Sequence, residues 1–161
     1  MRYKMLTLVA TAALLAACDT TPKATDTGAG TGTATAPTAP VAQGSPADEL
    51  KTQVGDRIFF AFDKSDISGE SKATLDRQAA FTKKYPQLTF TVEGHCDERG
   101  TREYNLALGE RRATATKNAL VALGVQGSRL QTISYGKERP AVVGSNEAAY
   151  AQNRRAVTVI N

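Results

Sequence analysis

Between residues 57 and 160 the spacing of apolar side chains changes several times, and each change marks a structural boundary. Residues 57–62 read Arg-Ile-Phe-Phe-Ala-Phe, a short apolar run of strand length, and residues 63–68 are a polar loop. Ser68, with Glu70 two positions on, opens a helix that reaches about Tyr85 and is stopped by Pro86. Residues 88–93, Leu-Thr-Phe-Thr-Val-Glu, alternate as a half-buried strand does and end at Gly94. Thr101 caps a second helix that extends to Leu123 and is closed by Gly124. Residues 130–135 form a third strand, 136–153 a long loop with one helical turn near Glu147, and 156–160 the last strand. Strands alternate with amphipathic helices and the chain then ends on a strand pair. This β-α-β-α-β-β order predicts an α/β fold, an α+β sandwich whose mixed four-stranded sheet carries both helices on one face.

The second helix is more informative. At about 100° per residue, Leu106, Gly109, Ala113, Thr116, Leu120 and Leu123 share one sector and face the sheet, while Arg111 points almost opposite, into solvent. Arg112 sits at the edge of the core sector with Asn105 and Leu108, and that stripe meets the loop at 94–100. Taken alone, an arginine at such a boundary pairs with the nearby Asp97. Arg154 and Arg155 open the last strand, where alternation makes one brace the loops and leaves the other exposed.

Upstream the pattern is different. Arg2 and Lys4 precede the uncharged residues 6–17, which fall short of the roughly 20 residues that cross a bilayer and match the apolar centre of a secretory signal peptide. Leu15-Ala16-Ala17-Cys18 follows and resembles the bacterial lipobox, so residues 1–17 read as a signal peptide and Cys18 as the lipid-bearing first residue of the mature chain. Residues 19–47 are mostly Thr, Ala, Gly and Pro, with Val41 as the only branched aliphatic side chain. They bury too little apolar surface to offset their ordering entropy, which predicts a disordered tether. Residues 48–161 form the folded domain. A thioether at Cys18 leaves Cys96 a free thiol although the cysteine count is even.

Charge narrows the function further. The chain of 161 residues has 20 Lys and Arg against 16 Asp and Glu, and 18 against 16 once Arg2 and Lys4 are removed. So small a surplus, spread along the chain, makes no basic stripe and argues against nucleic acid as a partner. Gly94-His95-Cys96-Asp97-Glu98-Arg99-Gly100 contains metal-ligand residue types. The chain has no second histidine and no C-x-x-C spacing, however, so no metal is expected, and one side chain of the pair His95 and Cys96 should pack inward. Asp97 and Glu98 are adjacent, which suits neither carboxylate geometry for glycoside cleavage.

Five segments carry a family resemblance. They are Phe62-Asp63-Lys64; Glu93 with the seven residues above and Thr101; Glu103-Tyr104-Asn105 with Leu108-Gly109-Glu110-Arg111-Arg112-Ala113; Ser134-Tyr135-Gly136-Lys137; and Asn153-Arg154-Arg155-Ala156-Val157. In that order they resemble the OmpA-like domain family over about 105 residues, in particular its lipid-anchored, peptidoglycan-binding members in Gram-negative bacteria. The resemblance implies non-covalent binding of meso-diaminopimelate in peptidoglycan stem peptides, without enzymatic activity or cofactor. Asp97 would take the ammonium of the diaminopimelate centre and Arg112 its carboxylate. Backbone N–H groups at Phe62 and Asp63 would add donors, with Arg99, Asn105 and Leu108 lining the pocket. A zwitterionic centre suits this pairing, because it needs an acceptor-only anion and a planar cationic fork a few ångströms apart. Cys96 departs from the Thr or Ala of many members. The resemblance also implies a TolB-like periplasmic partner, an outer-membrane anchor with the domain in the periplasm, and a part in envelope integrity and cell division. Asp19 after the lipobox, similar to an inner-membrane retention signal of enteric bacteria, leaves the choice of membrane open. The alternative reading is a periplasmic peptidoglycan-processing enzyme.

Overall fold

The computed structural model describes residues 44–161, so the expected signal peptide, Cys18 and the tether up to residue 43 lie outside the described residues. Ser45 and Asp48 form a reciprocal capping box, Ser45 N donating to Asp48 Oδ2 and Asp48 N to Ser45 Oγ, both at 3.2 Å, with Pro46 in the first turn. Helix α1 (Pro46–Glu49) therefore starts two residues before Asp48. It runs into a π-helical turn (Leu50–Val54) that buries Leu50 and ends at Gly55, whose φ is 90°.

Strand β1 (Arg57–Phe59) is shorter than the apolar run suggests. Phe60 N still donates to Arg154 O at 2.9 Å, but the chain then turns through Asp63, the one non-glycine residue at positive φ (56°) among the described residues. Helix α2 (Gly69–Lys84) is capped by Ser68 Oγ, which accepts from Ser71 N. Strand β2 (Phe90–His95) begins and ends two residues later than expected, because Leu88 N first closes a turn onto Tyr85 O. Helix α3 (Arg102–Ala122), capped by Thr101, leads to β3 (Leu130–Gly136). Helix α4 (Glu147–Asn153) has two turns where one was expected, and its cap, Asn146 Oδ1, accepts from Ala149 N at 2.9 Å. Strand β4 (Arg155–Ile160) follows.

The sheet order is β1-β4-β2-β3, with β2 and β3 parallel and β4 antiparallel to both β1 and β2. The last two strands in sequence therefore do not pair. Helix α3 is the crossover that parallel strands require, and it places β3 beside β2 on the side away from β4. Ile58, Phe60, Phe90, Val92, Leu130 and Ala156 on one sheet face meet Leu75, Ala79 and Phe81 of α2 and Ala113 and Leu120 of α3. Buried Gln78 is satisfied: its Nε2 donates to Gly55 O at 2.7 Å and its Oε1 accepts from Thr158 Oγ1 at 3.0 Å.

Gly94 and Gly109 set how closely α3 lies on the sheet. A Cβ at Gly94 would stand 1.9 Å from Gly109 O, and one at Gly109 would stand 2.3 Å from Ser134 Oγ. The first obstacle is backbone and cannot rotate away. Gly94→Ala is expected to cost on the order of 3 kcal/mol of stability in urea denaturation. An unchanged unfolding midpoint would show that α3 can move off the sheet freely.

Candidate functional site

Three segments meet at the end of the sheet where β2 gives way to its loop: the turn after β1, the loop after β2 and the first three turns of α3. They enclose a cavity of about 180 Å³. All seven expected residues lie on its wall: Phe62 and Asp63 from the turn, Asp97 and Arg99 from the loop, and Asn105, Leu108 and Arg112 from α3. The spacing 105, 108, 112 puts the last three on one stripe of the helix. Sequence reasoning did not assign Tyr104, which also lines the cavity and whose hydroxyl donates to Asp63 Oδ1. That bond raises the pKa of the Tyr104 phenol, and burial adds to the effect. The signal was the i, i+4 relation of Tyr104 to Leu108 on the pocket side of the helix.

Arg112 is 0% exposed and is held almost entirely by main chain. Its Nε donates to Lys64 O at 2.9 Å, Nη1 to His95 O at 2.8 Å and to Cys96 Sγ at 3.4 Å, and Nη2 to Ala61 O at 3.2 Å. Four of the five guanidinium N–H groups are thus committed, leaving one on Nη2 rather than a free two-pronged fork. The expected pairing with Asp97 is not present, and among the described residues Arg112 makes no ion pair. Burial lowers its pKa, against the opposing influence of Cys96 and Asp97.

Asp97, 4% exposed, is instead gripped by two other arginines. Arg99 Nη2 lies 2.6 Å from Oδ2, and the N and Nε of Arg99 donate to Oδ1 at 3.1 and 3.2 Å. Arg154 Nη1 lies 3.5 Å from Oδ2. Burial alone would raise the Asp97 pKa, but the hydrogen bonds and charge of Arg99, with Arg154, outweigh it and hold the carboxyl below its ordinary value. The Arg99 guanidinium is stacked between Phe62, 4.0 Å from the ring centre, and Tyr150 of α4, at 4.3 Å. Asn105 Nδ2 ties the loop back to the helix by donating to Arg99 O and Thr101 O at 2.8 and 3.0 Å.

Arg154 braces the loops: its Nε donates to Phe60 O at 3.1 Å and its Nη1 pairs with Glu147 at 2.8 Å. Arg155, expected to be exposed if its neighbour was not, is buried too, because Arg139 O accepts from its Nη2 at 3.2 Å over the opposite sheet face. His95 and Cys96 are likewise both buried, on opposite sides of the chain, with Cys96 on the cavity wall and His95 behind it. Among the described residues no cluster of three or more His, Cys, Asp or Glu could hold a metal, and no helix is long and apolar enough to cross a membrane.

The family model described as the OmpA family matches residues 59–154. The chain belongs to the OmpA family. A peptidoglycan-associated lipoprotein of Rhizobium meliloti is 49% identical over 156 residues, covering 97% of this chain and 86% of that protein. One of Brucella melitensis is 52% identical over 136 residues, covering 84% and 76%. Among solved structures, the peptidoglycan-associated lipoprotein from Burkholderia pseudomallei is 39% identical with a TM-score of 0.67, covering 72% of this chain and 99% of that one.

In this OmpA-family domain the ring of His95 is 2% exposed, and neither ring nitrogen has a hydrogen-bond partner among the described residues. It lies 5.5 Å from the Tyr135 ring, and Glu93 comes within 3.5 Å without bonding geometry. Burial, then the charges of Arg155, Arg139 and Arg57, lower its pKa from 6.5 to about 4, so Glu93 does not prevail. The unfolded chain takes up this proton near pH 6.5 and the fold only near pH 4. The contribution to stability is therefore complete above pH 6.5 and is lost as the pH falls toward 4, by about 3 kcal/mol in all. His95→Phe should remove that component. Urea titrations at pH 7 and pH 4.5 are expected to show a smaller drop for the variant than for the parent, and equal drops would contradict the assignment.

Proposed function

We propose that this domain binds, without covalent chemistry, the free amino-acid centre of meso-diaminopimelate in peptidoglycan stem peptides, and that the chain is a lipid-anchored protein tying the outer membrane to the cell wall. The observation that carries this reading is the buried Arg112 cation, which has no carboxylate partner among the described residues yet lines the same cavity as the buried Asp97 carboxylate. A guanidinium removed from water is costly until an anion compensates it. A ligand carboxylate would take the remaining Nη2 N–H of Arg112. It would also take the backbone N–H groups of Phe62 and Asp63, which make no hydrogen bond among the described residues. Turns that include a left-handed residue direct successive N–H groups to one side, and Asp63 is such a residue. The ligand ammonium would reach Asp97 in competition with Arg99.

The Rhizobium, Brucella and Burkholderia relatives are peptidoglycan-associated lipoproteins by name, which supports a cell-wall partner. Lipid attachment at Cys18, a periplasmic position for the domain, a TolB-like partner and a role in envelope integrity and division within a Tol-Pal-like system extend the same proposal through family resemblance. The enzyme alternative is less favoured. Asp97, held ionised by two arginines, is a poor proton donor, and Glu98 is turned away from it toward Tyr150, whose hydroxyl donates to Glu98 Oε1 at 2.8 Å.

Sedimentation with isolated sacculi tests the assignment. Asp97→Asn and Arg112→Lys are each expected to weaken retention at least about tenfold, and saturating free meso-diaminopimelate should release the parent protein. Retention unchanged in both variants, or insensitive to the free amino acid, would refute the site. Soluble muropeptides released by the protein would favour the enzyme instead.

A further inference from the structure

The loop after β2 has a second side. Asp97 and Arg99 turn toward the cavity described above, whereas Glu98 turns the other way, onto a separate cavity of about 160 Å³. Cys96 lies on the wall of both, so a single thickness of chain divides them. Lys137, just beyond β3, lines this second space. Its Nζ donates to Glu98 O at 3.2 Å and to Gly100 O at 2.8 Å, which leaves one ammonium N–H without a partner. Among the described residues Lys137 makes no ion pair. Glu98, the acid that lines the same cavity, is instead occupied by Tyr150 and Ser145. Pro140, Val142 and Val143 supply the apolar part of the same lining. Asn153 fixes that wall in place: its Oδ1 accepts from Ala141 N at 2.7 Å and Val142 N at 3.1 Å, and its Nδ2 donates to Val142 O at 2.8 Å.

A cation with one spare donor, sharing a small cavity with apolar side chains, matches a carboxylate on a carbon that bears a short alkyl group. We propose that the second cavity receives the terminal carboxylate and methyl group of the alanine that follows diaminopimelate in a stem peptide whose free amino-acid centre occupies the first cavity. This inference rests on the reading given under Proposed function and extends it from one residue to two. One peptide step is about 3.8 Å, and the linear diaminopimelate side chain adds its own reach, so a single ligand can straddle a wall one chain thick.

The test is a cycle between ligand and protein, read by titration calorimetry. The ligands are the tetrapeptide L-Ala-γ-D-Glu-meso-diaminopimelyl-D-Ala and the same peptide with its terminal carboxylate converted to a carboxamide. The proteins are the parent, Lys137→Gln and Val142→Asp, the last placing an internal anion beside Lys137 at a partly exposed position. The parent is expected to lose about fivefold in affinity on amidation, and each variant less than about twofold. Because each protein is its own reference, general loosening of the loop in Lys137→Gln cancels from the ratio. Equal affinity of the parent for both peptides, or the same amidation penalty in the parent and both variants, overturns the proposal. Free meso-diaminopimelate serves as the control. If the parent fails to bind it, the first cavity has been misread and this inference falls with it. Binding of the free amino acid without an amidation penalty removes the second cavity alone.

Discussion

The Arg112 guanidinium joins three parts of the chain that sequence keeps far apart. From α3 it bonds to the carbonyls of Ala61 and Lys64 in the turn after β1 and to the carbonyl of His95 at the end of β2. Charge-assisted bonds of this kind are worth about 1.5–3 kcal/mol each, which offsets much of the cost of taking the cation out of water. They also hold the turn in which Asp63 adopts a left-handed conformation, a strain of about 1 kcal/mol or more for a residue with a Cβ. Carbonyl dipoles solvate a cation without neutralising it, so the bonds that secure the fold leave a positive charge inside it. The same side chain closes the structure and prepares it for an anion.

The charges around the cavity are distributed unevenly. Asp97 has two arginines, while Arg112 has no carboxylate partner among the described residues. Glu147 takes part in the network as well, but its side chain is 67% exposed and water screens its pairs with Arg99 and Arg154. Arg99 is the more exposed of the two arginines on Asp97. It sits on the rim between two aromatic faces, with its side chain 35% exposed, whereas Arg154 is at 9% and is anchored to Phe60 O. In the proposed complex a ligand ammonium would compete with a rim cation for Asp97 and leave the inner one in place. A zwitterion would add no net charge but would bring a negative group next to Arg112, where the described residues supply none.

Local signals carried far in this sequence. Ser68, Thr101, Pro86 and Gly124 set the ends of the two long helices to within about a residue, because caps and breakers act on their own turn. The stripe Asn105, Leu108, Arg112 led to the cavity for the same reason. The ends of the domain were harder to place. The capping box of Ser45 and the Asn146 cap of α4 were both present in the sequence, but short helices give no periodicity to support them. The second partner of Asp97 was out of reach for another reason: Arg154 comes from 57 residues away, and only the pairing of β4 between β1 and β2 brings it there. Arg155 was misplaced because alternation says which face a strand residue takes and not what covers that face. Here the segment carrying Arg139 does.

Helix α3 shows why its apolar pattern is faint although seven of its residues are buried. Its C-terminal half packs Ala113, Thr116 and Leu120 on the sheet, while its N-terminal half turns Asn105, Leu108 and Arg112 to the cavity. One buried face therefore serves two environments, and the polar residues that weaken the periodicity are the ones that make the site. What allows both is the missing side chain at Gly94 and Gly109, which brings the helix backbone against β2. Arg112 lies three residues beyond Gly109, close to one turn along the same face, so that contact decides whether its Nη1 reaches His95 O. With any larger residue at Gly94, α3 would have to lift from the sheet. The guanidinium would then be drawn out of its ring of carbonyls, and the fixed charge at the cavity floor would open to water.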